Sequence, residues 1–552
     1  MHKDKSQKVL GILVTTFLLI FLAVPIITLF TKAFQNIDGT FIGFQNFVDY
    51  LSSRSFKIVL KNSLKVSFTA TAISIILAFV YSYGINRTNI KFKGLLNWLA
   101  LLPLFAPTMT QGIALIYLFG NKGIITNLFN LNFDIYGFWG ITISEAIYIF
   151  PAVYLMFSLS LKNTDNRLYE AARVMGTSRI RQFLTITLPS IKFALITAFF
   201  SAFTMAFTDF GAPKIIGGNY NVLATEVYKK MLGQQDLEMG SVVGVILIIP
   251  AIIAFIVDFI VTKKNKVQVD SKATKYVISD NKSRDIFIGI INLIIGLIIL
   301  IVFATIVLSA IVSNWPYDLS LTGKWFSFDV MGTSGFRIFG NSIFVALLSA
   351  IFGTIICFIA AYLCERSSSL KVGKRIIYFM GILPNAIPGL TIGIAFMFFF
   401  NKQGNPLGFL YGTFAILVLA NIMHFFATPF LTMTNEMKKI DKEYENASET
   451  MGVPWYVVIK RVIIPLSLPA ILESFSYYFV NSMMTISAVV FLYFPTTRLA
   501  TISMVNKADI GEMAAASAVA VMIVFTNIIF RVIFDKVALK IRNNKNMNSI
   551  VE

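Results

Sequence analysis

Residues 170–189 read EAARVMGTSRIRQFLTITLP, a polar and basic island between two long apolar runs. The composition predicts two short helical pieces broken at Gly176. Glu170, Ala171 and Ala172 are good helix formers, and Thr177 or Ser178 can cap the second piece. A glycine inside a helix costs about 1 kcal/mol, so one placed between the pieces predicts a turn or a close backbone approach. The spacing returns at residues 446–465, NASETMGVPWYVVIKRVIIP. There Asn446, Ala447 and Ser448 stand for the Glu-Ala-Ala, and Gly452 and Pro465 keep the separation of Gly176 and Pro189.

The runs around these islands are apolar on a scale that a soluble core does not use. Of 552 residues 56% are hydrophobic, 53 are Phe, and the mean hydropathy is +0.74. The chain therefore reads as an all-α polytopic membrane protein. A formal charge of +19 would suggest nucleic acid in a soluble protein. Here the basic residues gather in alternate loops, as the positive-inside rule expects, so the lipid bilayer and its acidic headgroups are the partner and nucleic acid is not. Cys357 and Cys364 fall on one helical face and read as packing residues, and with only His2 and His424 no histidine-cluster metal site is expected. No G-x-x-x-x-G-K-[ST] phosphate loop occurs, so no cofactor is expected on this chain, and ATP with its Mg²⁺ would be used by another.

Apolar runs long enough to span fall at about residues 9–31, 64–84, 95–119, 138–161, 190–210 and 240–261. A polar, basic stretch at 263–284 reads as a linker, and the pattern then restarts at about 286–312, 342–364, 377–400, 409–433, 468–493 and 513–534. The run at 9–31 is too long for a cleaved signal peptide and lacks a small-residue cleavage site, so it counts as a span. The sum is about twelve transmembrane helices in two modules, 1–262 and 285–552, with both termini on the cytoplasmic side. The halves also match outside the islands. Asn62-Ser63 has its counterpart in Asn341-Ser342, and Pro103 and Pro107 have theirs in Pro384 and Pro388. With six spans per half the repeat is parallel, so both islands face one side.

The pattern Glu-Ala-Ala, three residues, Gly, nine residues, Ile-x-Leu-Pro resembles the cytoplasmic coupling loop of ABC importer permeases, here in a fused two-module, type I form. The first copy matches at Glu170, Ala171, Ala172, Gly176, Ile186, Leu188 and Pro189. The second is degenerate, with Asn446 for Glu and Ser448 for Ala, although Glu445 sits one residue earlier. The resemblance implies coupling loops at 165–189 and 441–465. In them Glu170, Ala171, Ala172, Gly176, Asn446, Ala447, Ser448 and Gly452 would meet two copies of an ATPase subunit. Gly176 and Gly452 would shape the turns, and Glu170 would fix the local geometry. It implies also a bacterial cell-membrane location, an extracytoplasmic binding protein that delivers the ligand, and a chain that is not itself an enzyme. An ion-gradient-driven secondary carrier would share the two-half symmetry, but it has no reason to carry paired coupling loops. A membrane-embedded enzyme would need a convergent set of His, Asp or Cys residues, and the sequence offers none.

Ionisable groups at membrane depth are functional candidates by default, because holding them there is costly. Glu145 reads as a residue that bonds a neighbouring helix and His424 as a satisfied packing residue. Asp209 and Glu473 belong either to the pathway or near enough to an interface to be solvated. Pro107 and Pro388 mark spans that can bend and line a cavity. The segment 207–240 reads as a polar, Gly-rich outer loop in which Lys214, Lys229 and Lys230 could dock a delivery protein or guide an anion. Residues 481–518 look like the 2-aminoethylphosphonate permeases, which makes that ligand the first expectation. Thr485 and Ser487 would then donate to phosphonate oxygens and Asp209 would meet the ammonium. Ferric iron or thiamine is the alternative. Ferric-iron relatives tend to carry an acidic residue where Thr485, Ile486 and Ser487 lie in this sequence.

Overall fold

The computed structural model describes residues 2–264, 274, 276–327, 335–367 and 371–551. Ten of its helices are long and apolar enough to cross a membrane, and twelve crossings result when each of two bent pairs counts as one. The first six spans are Ser6–Ala33, Arg54–Arg87, Thr108–Phe129, Phe138–Lys162, Arg179–Thr208 and Leu237–Val261. The seventh and eighth are Lys282–Ile311 and Gly335–Glu365, and the eleventh and twelfth are Trp455–Met484 and Met513–Ile541. The ninth is the pair Gly373–Ala386 and Gly389–Phe400, bent by 114°, and the tenth is Phe414–His424 and Ala427–Lys439, bent by 55°. Helices dominate because a bilayer interior offers no hydrogen bonds, so each segment must satisfy its own backbone.

The prolines break their spans outright rather than kink them. In the third span a shorter apolar helix, Lys93–Phe105, stops and a new one starts at Thr108, with Pro107 at its N-cap. Pro388 holds the same place before Gly389–Phe400. A proline pushes the residue ahead of it out of the helical region. Ala106 (φ −117°, ψ 139°) and Ile387 (φ −123°, ψ 115°) are accordingly extended.

The eleventh span corrects a sequence expectation. Its helix ends at Met484 and not near residue 493, with Thr485 extended at φ −67°, ψ 140°. Residues 485–493 stay inside the molecule, with Ile486, Val489, Val490, Phe491 and Leu492 buried. An apolar run of that length reads the same whether it is helix or buried loop. The segment 207–240 needs a similar correction, because the short helix Gly211–Ile216 that opens it is largely buried. Lys214 is paired with Asp509 at 2.9 Å and Lys230 with Asp236 at 3.5 Å. Two of its three lysines are thus already neutralised.

The halves interlock. The first span packs on the eighth and ninth, while the seventh packs on the second and third. Gln7 Nε2 donates to the Tyr362 hydroxyl at 3.4 Å and Ser367 Oγ donates to Gln7 Oε1 at 2.9 Å. On the other side Asn292 Nδ2 donates to the Tyr81 carbonyl at 3.1 Å. The main apolar core accordingly runs through both halves, with a smaller cluster around Val66, Leu115 and Ile141 in the first. Cys357 and Cys364 are buried and unbridged. Residues 265–273 and 275 of the linker read at 263–284 lie outside the described residues. Its end, at Thr274 and residues 276–281, lies against the loop after the fourth span. The Asn166 N–H donates to the Thr274 carbonyl and the Val277 N–H to Asn166 Oδ1, each at 3.1 Å.

Candidate functional site

Two places carry the repeat's polar residues. The first is the pair of loops after the fourth and tenth spans, which lie at one end of the bundle because six crossings separate them. Each loop opens with a short helix, Asn166–Val174 and Glu443–Thr450. Asp165 caps the first, its Oδ1 accepting from the Arg167 N–H at 3.0 Å. The Arg167 side chain, then its backbone N–H, holds the Asp165 carboxyl well below the usual carboxylate range. Both helices end in one motif. The Thr177 N–H reaches the Ala172 carbonyl and the Val453 N–H reaches that of Ser448, both at 2.9 Å. Gly176 and Gly452 take the left-handed position, at φ +68° and +69°. Glu170 and Ala171 face solvent while Ala172 is buried, and Asn446, Ala447 and Ser448 repeat that order. Glu170 Oε1 accepts from Asn166 Nδ2 at 2.6 Å, which steadies its own helix. Apolar side chains stand out around the turns, Val174 at 89% exposure, Met175 at 75% and Met451 at 70%. Patches of that kind mark interaction surfaces.

Arginines at the ends of the second and eighth spans tie these helices to the membrane part. Arg366 donates through Nε to Glu445 Oε1 at 2.6 Å and pairs with the same carboxylate through Nη2, while Nη1 donates to the Ile440 carbonyl at 2.6 Å. Arg87, its counterpart, donates through Nη2 to the Leu161 carbonyl at 2.9 Å and lies over the rings of Tyr276 and Tyr169, at 3.8 and 5.2 Å.

The second place is a cavity of about 110 Å³ between the halves, at the far ends of the fifth and eleventh spans. Pro107, Thr108, Tyr148, Asp209 and Gly211 line it from one half, and His424, Asn481, Thr485 and Ser487 from the other. The register that sets Gly176 on Gly452 also sets Asp209 on Thr485, Tyr148 on His424 and Glu145 on Asn421. Asp209 Oδ2 accepts from the Ala212 N–H at 3.0 Å, and Thr108 lines the cavity beside the same carboxyl. Glu145 is fully buried behind it, and its neighbour is the Asp209 carboxyl. Neither Glu145 oxygen has a hydrogen-bond partner among the described residues, and two carboxylates brought near one another favour a cation between them. Close packing shapes both halves of the cavity. A Cβ on Gly211 would overlap Thr108 Oγ1, and one on Gly389 would overlap Ser487 Oγ.

The sequence profile of the family described as binding-protein-dependent transport system inner membrane component matches residues 75–267 and again residues 353–543. The chain belongs to that family. The permease is 25% identical over 97% of its length to the ferric transport system permease protein FbpB of Actinobacillus pleuropneumoniae, covering 79% of that protein. The Fe(3+)-transport system permease protein FbpB 2 of Haemophilus influenzae is 21% identical over 92% of the permease and 95% of its own length. A bacterial ABC transporter involved in the import of the acidic polysaccharide alginate overlays 45% of the permease and 92% of its own chain, at 20% identity and a TM-score of 0.39. Membership of that family makes the permease a multi-pass inner-membrane subunit of a transport system.

Of the candidate pathway residues, Pro107, Asp209, Thr485 and Ser487 line the one cavity, whereas Pro388 acts one residue away by starting the helix at Gly389. Glu473 lies on an exposed face of the eleventh span, away from it. His424, expected as a satisfied packing residue, lines the cavity with no partner for Nδ1 among the described residues. Tyr148 went unread, although the repeat register that pairs it with His424 was open to view.

Proposed function

We propose that the permease imports ferric iron handed over by an extracytoplasmic binding protein. Two ATPase subunits would drive it by closing on the loop helices Asn166–Val174 and Glu443–Thr450, with both chain termini on their side. The observation that carries the cargo is the charge of the central cavity. Asp209 faces it, Glu145 backs Asp209, and no lysine or arginine lines it among the described residues. Such a site attracts a cation, and a phosphonate would meet Thr485 and Ser487 hydroxyls with no positive charge to balance its own. The acidic residue associated with ferric-iron transport is absent at 485–487, but its repeat mate Asp209 supplies one from the other half. Among the described residues no cluster of three or more His, Cys, Asp or Glu could cage a metal, so the carboxyls would offer a foothold in passing. Ferric permeases related along almost the whole chain favour iron over thiamine.

The fifth and eleventh spans support a wet passage below the cavity. They are the least buried of the ten unbroken spans, at 17% and 22%, yet their hydropathies are only 1.7 and 1.6. The seventh, 33% buried at hydropathy 3.2, has the composition for lipid. Reconstitution with the ATPase and binding protein tests the proposal. Ferric iron should stimulate ATP hydrolysis where 2-aminoethylphosphonate and thiamine do not. Stimulation by either of those in its place would discard the cargo and keep the machine.

A further inference from the structure

We propose that a pocket beside the first loop helix binds a phosphoryl-type oxyanion, which takes the place that a carboxylate fills in the second half. The pocket, about 160 Å³, lies between the end of the second span, the helix Asn166–Val174, the start of the next piece and the linker end. Arg87 forms its floor. This side chain is 2% exposed, yet Nε and Nη1 have no hydrogen-bond partner among the described residues. A guanidinium so deeply buried and only half satisfied is strongly unfavourable.

The second half shows what the guanidinium lacks. Arg366 occupies the matching place and holds Glu445 through two nitrogens. The register that pairs Gly176 with Gly452 puts Tyr169 where Glu445 stands. Tyr169 offers Arg87 a ring face, and its hydroxyl is spent on Thr187 at 2.8 Å. Three more arginines line the pocket, Arg173, Arg179 and Arg284, and among the described residues no carboxylate does. Arg284 pairs with Asp285 at 2.7 Å, while Arg173 and Arg179 make no ion pair among the described residues.

One carboxylate would leave this cluster under-neutralised. A phosphoryl group carries more charge and more acceptor oxygens, and guanidinium forks bind it in the same two-pronged way. Bound there, it would bridge the second span, the loop helix and the linker, giving the first loop the stiffness that Arg366 and Glu445 give the second. The phosphoryl group could come from free phosphate or from an anionic lipid headgroup, since the pocket sits at a span end.

Equilibrium dialysis of radiolabelled inorganic phosphate against the full chain in detergent tests the first source, and native mass spectrometry of retained phosphatidylglycerol tests the second. The wild type should hold about one phosphate or one lipid. Tyr169→Glu, which installs the missing carboxylate, and Arg173→Gln on the exposed rim should each weaken that binding at least about tenfold. Phosphate binding assigns the free anion and lipid retention alone assigns the headgroup. No binding of either, or equal binding by wild type and both folded variants, overturns the proposal.

Discussion

Gly176 and Gly452 turn the chain left-handed with nothing within 4 Å of where a Cβ would sit. Of the two expectations for that position, the turn stands and the close approach does not. Any side chain there meets only the backbone penalty, about 1–2 kcal/mol. Gly176→Ala and Gly176→Leu should therefore lower coupled ATPase activity by the same amount, and a much larger loss for leucine would mean that the partner subunit presses on the turn. At the cavity, Asp209→Asn should reduce ferric uptake into proteoliposomes about tenfold, a barrier change of about 1.4 kcal/mol, without loss of assembly. Unchanged uptake would take the acidic cavity out of the iron pathway. Asp209, Thr485 and Ser487 were legible because polar groups at membrane depth stand out against their surroundings. Tyr148 was not, since a tyrosine in an apolar helix looks like packing until its repeat mate His424 is set beside it.

The two loop helices are alike in their caps and turns but differ in how they are anchored. Arg366 is 2% exposed and Glu445 15% as side chains, so removing the carboxylate strands a nearly buried charge, at a cost of about 3 kcal/mol. Glu445→Gln should accordingly speed amide hydrogen exchange across Glu443–Thr450 and leave Asn166–Val174 as it was. Equal exchange in both loops would show that the ion pair contributes nothing. The loops and their boundaries could be read because glycine and proline punctuate them. Arg87 read as one more inner-surface cation, and only the tertiary packing of Tyr169 and Tyr276 buries it. The end of the eleventh span was hidden because apolar loop and apolar helix share a composition when both are inside a protein.

Twelve crossings, two modules and a parallel repeat can be read from hydropathy and spacing, which record what each segment needs from its solvent. The exchange of the first and seventh spans between halves left no such mark, because it depends on contacts between residues far apart in sequence. Interlocked halves should not need a covalent link. Residues 1–262 and 285–552 co-expressed as separate chains should purify together in equal amounts, and recovery of one fragment alone would show that the linker, not the exchange, holds the module pair. The exchange also sets a timetable for biogenesis. The first span reaches the membrane while its partners, the eighth and ninth, are still untranslated, and at ordinary elongation speeds the wait is on the order of tens of seconds. During that interval it must survive in lipid without those two partners, with the sixth span of its own half to join it, and a hydropathy of 2.7 suits it to do so. The earliest segment inserted is thus among the last to find its final seat, and the amino-terminal half finishes folding only as the carboxyl-terminal half arrives.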